Sequence, residues 1–92
     1  MPKLTPDQLT AALKNLPTWT QTGDEIVRQF EFADFLGSMA FVDKVAEVAQ
    51  AADHHPDIDI RYDKVKIALS THDQGGITEK DAALAEQIDS LA

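Results

Sequence analysis

Cysteine is absent from this sequence of 92 residues. Without thiols the chain has no disulfide framework, no thiolate nucleophile and no cysteine-based zinc site. Basic residues are also scarce, since 8 Lys and Arg stand against 16 Asp and Glu and give a net charge of -8. Because nucleic acids and anionic membranes are bound through clustered positive charge, this balance argues against both as partners.

Long apolar runs are missing as well. The amino-terminal stretch MPKLTPDQLT lacks the apolar segment of a signal peptide, and nothing approaches the roughly 18–20 apolar residues that cross a bilayer. We therefore expect a cytoplasmic protein. The length, with 43% hydrophobic and 26% charged residues, predicts one folded domain over residues 1–92.

The first third of the chain predicts a helix followed by a hairpin. Thr5 and Gln8 have the spacing of a capping box, so a short helix begins after Thr5 and ends before Pro17. Two stretches with strand-like alternation, residues 19–22 and 25–32, then flank a Gly23-Asp24 turn.

A long amphipathic helix is predicted next. Asp34 is a suitable N-cap, and the helix ends near Asp53, because a residue before proline, here His55, is pushed out of the helical conformation. The spacing predicts an apolar face made of Phe35, Met39, Val42, Val45 or Ala46, and Ala49.

Beyond Pro56 the apolar period changes to two. The alternation predicts two strands, and Asp63-Lys64 is interpreted as the turn between them. A last helix begins after Thr78, with Asp81 at the capping-box position. The order α-β-β-α-β-β-α predicts an α+β fold in which a four-stranded antiparallel sheet carries three helices on one face.

The chain contains three histidines, and the predicted register brings them together. A turn at Asp63-Lys64, carried back along both strands, sets His55 opposite His72, with His54 beside them. We therefore expect an imidazole cluster at the open end of the second hairpin. Imidazole has an ordinary pKa of about 6.5, so such a cluster can offer an acid and a base at neutral pH, as dehydration or isomerisation requires.

Simpler interpretations of the same residues stay open. A His-His-Pro stretch is common in loops at helix ends, where histidine complements the helix dipole. Three imidazoles also form some zinc sites, although neighbouring residues rarely direct two rings at one ion. Asp81 can be entirely a capping residue, and Trp19 can simply belong to the core.

The spacing of a few residues matches one known family: His54-His55-Pro56, Tyr62, His72 and Asp81. The stretches RQFEFADFLGSMAFVDKVAEVA and LSTHDQGGITEKDAALAEQID are also similar to that family. On these residues the chain resembles the pterin-4a-carbinolamine dehydratases over nearly its whole length.

Two positions depart from the family pattern. Gln50 stands where the family has Glu, Asp, Lys or His, and Ile58 stands where it often has Trp. A neutral amide can form hydrogen bonds, but it cannot tune a histidine pKa through charge. The isoleucine is interpreted as a change in packing.

The resemblance implies a hydro-lyase that converts 4a-hydroxytetrahydrobiopterin to quinonoid dihydropterin in tetrahydrobiopterin recycling, beside an aromatic amino acid hydroxylase. It implies no cofactor and no metal, since the pterin is the substrate, and assembly into a homodimer or homotetramer. In the implied site Asp81 orients or polarises a histidine, and the acid and base groups are His54, His55 and His72. The pterin is held by these three histidines together with Asp53, Ser70 and Thr71.

Two other functions agree with the same resemblance. A non-catalytic module that binds pterin, or a protein partner as a transcriptional coactivator does, would keep the sheet and tolerate Gln50. A role in molybdopterin-type metabolism would keep the pocket with a different pterin.

Overall fold

The computed structural model describes residues 2–92. Its elements are α1 Pro6–Lys14, β1 Thr20–Thr22, β2 Glu25–Glu31, α2 Phe35–Ala52, β3 Asp57–Arg61, β4 Lys64–Leu69 and α3 Glu79–Asp89. A short 3-10 turn, His72–Gln74, lies between β4 and α3. The four strands form one antiparallel sheet in the order β1-β2-β4-β3. The predicted order of elements and the predicted fold class are therefore confirmed.

One face of the sheet is apolar and carries the helices. Alternate residues of β2 and β4 join residues of all three helices in one buried core, which includes Leu9, Ile26, Phe30, Phe41, Val45, Val65, Ile67, Leu69, Leu84 and Ile88. The intervening strand residues point to the opposite face, where Gln29 and Lys66 are exposed. Each fully buried large side chain contributes roughly 1.5–3 kcal/mol, so this face holds the layers together.

The helix starts follow the capping signals of the sequence. Thr5 and Gln8 form a reciprocal capping box at α1, and Thr78 and Asp81 form one at α3. The side chain of Asp34 caps α2. These bonds satisfy backbone donors that a helix start leaves unpaired. Among residues 2–92, no helix combines the length and apolar character that a membrane span needs.

The buried face of α2 differs from the predicted one. Phe35 is 47% exposed, whereas the buried residues of the helix are Ser38, Phe41, Val45 and Ala49. The ring of Phe41 lies 4.6 Å from that of Phe30 and 5.0 Å from that of Phe32. Because aromatic rings bury large areas, this stack fixes the rotation of α2 and turns Phe35 outward. The prediction was therefore wrong for the first turn of the helix.

The turn of the second hairpin also differs from the prediction. Arg61 pairs with Lys64 across a turn formed by Tyr62 and Asp63, so the predicted Asp63-Lys64 turn is wrong. Tyr62 has a left-handed backbone with φ 55°, a conformation that aromatic residues rarely adopt, and turn propensities therefore do not indicate it. The Asp63 carbonyl accepts a 2.8 Å hydrogen bond from the amide of Phe32, which ties the turn to the end of β2.

The predicted alignment of His55 with His72 is wrong for the same reason. The ladder between β3 and β4 ends at the pair Asp57 and Ala68, and two further steps in the same register set Ser70 opposite His55. Each β3 residue thus pairs two positions earlier on β4 than predicted. Because this shift is even, every side chain keeps its face of the sheet.

Arg28 interrupts the apolar face of β2, and the structure gives its partner. Its guanidinium donates a 2.6 Å hydrogen bond to Oδ1 of Asp89, and Nε1 of Trp19 donates to the same oxygen at 2.8 Å. The guanidinium carbon also lies 4.1 Å from the centre of the Phe30 ring. These contacts connect the end of α3 to the first hairpin.

Candidate active site

A cleft of about 370 Å³ lies where α2 and β4 end and α3 begins. It is lined by Asp53, His54, His55, Ser70, Thr71, His72, Asp73 and Lys80. This set contains all three histidines of the chain and all six residues that the resemblance implies for pterin binding. The volume falls in the usual range of small-molecule sites, about 300–1,000 Å³.

The end of α2 fixes the backbone of the histidine pair. Asp53 follows the helix in a left-handed conformation with φ 51°. The amide of His54 donates to the carbonyl of Ala49, and the amide of Asp53 donates to that of Gln50, each at 3.1 Å. These two bonds are the Schellman arrangement that ends many helices. The chain therefore turns sharply and brings His54 and His55 to the cleft.

Asp81 is fully buried and contacts the ring of His54. Its Oδ1 lies 2.5 Å from Nε2 of His54, and its Oδ2 accepts from the Thr71 hydroxyl at 2.9 Å and the Thr78 amide at 2.8 Å. The two threonine hydroxyl oxygens are 2.8 Å apart. Since Thr71 uses its proton on Asp81, the Thr78 hydroxyl donates to Thr71. Asp81 is thus both a capping residue and the partner of His54.

The carboxylate decides which nitrogen of His54 carries a proton. A carboxylate only accepts hydrogen bonds, so Nε2 of His54 carries a proton and donates it to Asp81. Nδ1 is then the ring atom available for proton exchange with a ligand. The His54 side chain is only 11% exposed, and its ring is therefore held in one orientation.

His55 has a different partner. Its Nε2 lies 3.0 Å from Oε1 of Gln50, and both residues are exposed. The neutral amide that departs from the family pattern is therefore in direct contact with a histidine of the cleft. Because this pair is solvated, its geometry is less constrained than that of His54 and Asp81.

His72 reaches the cleft from a compact loop. It begins the 3-10 turn His72–Gln74, and Gly75 follows that turn in a left-handed conformation with φ 70°. The Thr71 amide donates to the Gly76 carbonyl at 2.8 Å and closes the loop. Strand pairing between β3 and β4 does not place His72; the loop after β4 does.

Two lining residues, Asp73 and Lys80, were not predicted from the sequence. Asp73 follows His72 in the 3-10 turn, and Lys80 precedes Asp81 in the first turn of α3. Their only signal was adjacency to residues already singled out. The Lys80 side chain adds positive charge to the cleft, although the helix dipole favours acidic side chains at the start of a helix.

Another hollow, of about 250 Å³, lies on the sheet and contains no histidine; it is lined by Glu25, Asp57, Ile58, Asp59, Lys66 and Ala68. Groups able to exchange protons near neutral pH converge at the histidine cleft instead, and we place the functional site there. Within the described range, 2–92, no group of three or more His, Cys, Asp or Glu side chains is arranged to hold a metal ion.

Sequence relatives identify the family. A family model described as pterin 4 alpha carbinolamine dehydratase matches residues 2–91. A proposed pterin-4-alpha-carbinolamine dehydratase of Acidobacterium capsulatum is 54% identical over 91 residues, covering 99% of each chain. A protein of Chloroflexus aurantiacus with the same description is 52% identical over 91 residues, covering 99% of this chain and 98% of the relative.

Solved structures agree with this assignment. A transcriptional coactivator/pterin dehydratase from Brucella melitensis has a TM-score of 0.94 at 33% identity and covers 98% of each chain. A pterin dehydratase-like protein described as a RuBisCO assembly factor in the alpha-carboxysome has a TM-score of 0.67 at 24% identity, covering 80% of this chain and 86% of that one. The second likeness concerns the fold alone. Because the family match spans residues 2–91, the chain belongs to the pterin 4 alpha carbinolamine dehydratase family.

Proposed function

We propose that the chain is a hydro-lyase that dehydrates a 4a-hydroxytetrahydropterin, such as 4a-hydroxytetrahydrobiopterin, to the quinonoid dihydropterin and water. Family membership supports the substrate class. The observation that carries the proposal is that three imidazoles line one cleft and that one of them donates to a buried carboxylate.

The reaction needs two proton movements and no transfer of electrons. The bond between C4a and the hydroxyl oxygen breaks as that hydroxyl receives a proton and leaves as water. N5 loses its proton as the double bond between N5 and C4a forms. Imidazoles suit both steps near neutral pH, and positioned acid and base groups typically accelerate such steps about 10²–10⁴-fold.

The residues of the cleft divide this work. His54 accepts a proton at Nδ1 while Asp81 holds the protonated Nε2. His55 and His72 provide the remaining acid or base from the exposed part of the cleft. The pterin ring is held by the end of α2 at Asp53 and by the segment after β4 at Ser70 and Thr71.

We also propose a biological setting for this substrate. The reaction takes place in the cytoplasm as part of tetrahydrobiopterin recycling, beside an aromatic amino acid hydroxylase that releases the 4a-hydroxypterin.

The protein works as a homodimer or homotetramer, since a small sheet with an open edge commonly pairs with a copy of itself. Sedimentation of the protein at micromolar concentration tests the assembly, and a stable monomer would contradict it.

Stopped-flow spectroscopy tests the activity. A 4a-hydroxytetrahydropterin is generated in the mixing chamber, and its breakdown to the quinonoid product is followed with and without the protein. We expect faster breakdown with the protein, and none of that acceleration with His55→Ala or His72→Ala. Breakdown at the spontaneous rate, with dihydropterin still bound in an equilibrium titration, would reject the enzyme and favour a binding module.

One observation favours the binding module as a second candidate. Phe35 and Leu36 are 47% and 75% exposed at the start of α2, far more than apolar residues of a core. The Brucella melitensis relative is described as a transcriptional coactivator as well as a pterin dehydratase. A partner protein that docks on this exposed pair would give the chain a function that does not depend on the cleft.

A further inference from the structure

The two neighbouring histidines are anchored through the same ring atom by different chemistry. His54 donates from Nε2 to a buried carboxylate that accepts two other hydrogen bonds. His55 has its Nε2 3.0 Å from Oε1 of Gln50, whose side chain lies in the last turn of α2. The carboxylate that holds His54 takes part in three hydrogen bonds. The contact between His55 and Gln50 is a single one, and both groups are exposed.

An amide differs from a carboxylate because it contains both an acceptor and a donor. A half-turn about the terminal torsion of Gln50 exchanges its oxygen and its NH₂ group. Across residues 2–92 the Gln50 side chain has no second hydrogen bond that would fix one orientation. Asp81, in contrast, presents an acceptor to His54 in every orientation.

We propose that Gln50 is a positioning residue that holds the ring of His55 in both of its neutral tautomers. With its oxygen toward the ring, His55 donates from Nε2 and offers Nδ1 as an acceptor. With its NH₂ toward the ring, Nε2 accepts and Nδ1 carries the proton. His55 can therefore present either a donor or an acceptor to the bound pterin from the same position, while His54 presents an acceptor alone.

This inference rests on the proposed function and adds a difference between the two histidines to it. A carboxylate at position 50 would restrict His55 to one tautomer, as Asp81 restricts His54. The neutral amide of Gln50 thus has a role in the proposed reaction. It lets His55 follow the change from N5–H in the carbinolamine to the unprotonated N5 of the product.

Nitrogen NMR of the histidine rings tests the tautomers without any substrate. The variants are Gln50→Glu and Gln50→Met, and the matched control is Glu47→Gln, an exposed residue of the same helix. Loss of the signals in His55→Asn assigns them. We expect averaged tautomers for His55 in the wild type and in the control, and a shift to the Nε2–H tautomer in Gln50→Glu. One fixed tautomer in the wild type would overturn the inference.

Kinetics test whether the contact matters for the reaction. We expect Gln50→Met to lower kcat roughly tenfold, since the ring loses its anchor. Gln50→Glu should lower kcat less, because it keeps one of the two arrangements. A wild-type kcat in Gln50→Met, or in Gln50→Glu, would overturn the role of Gln50. If the wild-type protein itself gave no acceleration, the proposed function would fail, while the NMR comparison would still decide the role of Gln50.

Discussion

Asp81 and His54 are 27 residues apart in the chain and meet in a 2.5 Å hydrogen bond. The same carboxylate accepts from the hydroxyl of Thr71 and from the amide of Thr78. The start of α3, the segment after β4 and the end of α2 therefore converge on one buried side chain. Its contributions to helix capping and to the orientation of His54 can be separated by a substitution that keeps its shape.

Asp81→Asn is expected to lower kcat about 10²-fold or more with little loss of stability. The amide oxygen can keep the bonds from Thr71 and Thr78, which leaves the NH₂ group facing His54. Nε2 must then accept, and the proton moves to Nδ1, which gives the wrong tautomer in the way known for catalytic triads. Stopped-flow kinetics and urea unfolding measure the two effects. A kcat within twofold of the wild type would contradict the orienting role.

Gln8→Ala is the matched control, because Gln8 occupies the same capping-box position in α1 and lies outside the cleft. It should cost about 0.5–1 kcal/mol of unfolding free energy and leave kcat unchanged. A loss of kcat in this variant would show that helix capping alone affects the assay.

His72→Gln is expected to reduce kcat at least 10²-fold, because it removes an acid–base group while keeping a polar side chain of similar size. Gln74→Ala is its control, since Gln74 ends the same 3-10 turn and does not line the cleft. Dihydropterin titration should show a much smaller loss of affinity than of kcat in His72→Gln, because the glutamine keeps a polar group in the cleft. Full activity in His72→Gln would show that the third histidine has no part in the chemistry.

Local chemistry in the sequence predicted most of the fold. Thr5 and Thr78 mark helix starts through capping boxes that need only the residues three positions on. The proline at position 56 and the change of apolar period indicate where α2 must give way to β3. These signals involve neighbours in the chain, and the structure confirms them.

Contacts between distant residues account for what the sequence did not predict. An apolar period of two excludes odd shifts of register but allows even ones, and the hairpin takes the even shift that puts Tyr62 in its turn. The rotation of α2 depends on how Phe41 meets the rings of Phe30 and Phe32. The ends of α2 and β4 bring the histidines to one cleft. This convergence therefore does not depend on the predicted hairpin register or on the predicted rotation of α2.

Replacing Asp53 is expected to change stability and function in opposite directions. Its left-handed conformation, φ 51°, costs a residue with a Cβ roughly 1 kcal/mol relative to glycine. Asp53→Gly should therefore stabilise the protein and raise Tm by about 4–8 °C, while KM for the pterin rises because the carboxylate is lost from the cleft. Asp53→Asn, which tolerates the same backbone, should raise KM without the gain in Tm. An unchanged KM in both variants would remove Asp53 from the binding site.

The cluster around Asp89 should contribute more stability than an exposed pair of aspartate and arginine. Oδ1 of Asp89 accepts from Trp19 and Arg28, and the Arg28 and Asp89 side chains are each only 25% exposed. Asp89→Ala is expected to cost about 2–3 kcal/mol in urea unfolding, since hydrogen bonds to charged groups are each worth roughly 1.5–3 kcal/mol. Asp59 pairs with Arg61 at 80% exposure of the arginine, so Asp59→Ala should cost less than about 0.5 kcal/mol. Equal costs in the two variants would mean that the end of α3 is held by its apolar residues alone, and that the guanidinium on the apolar face of β2 does not stabilise the fold.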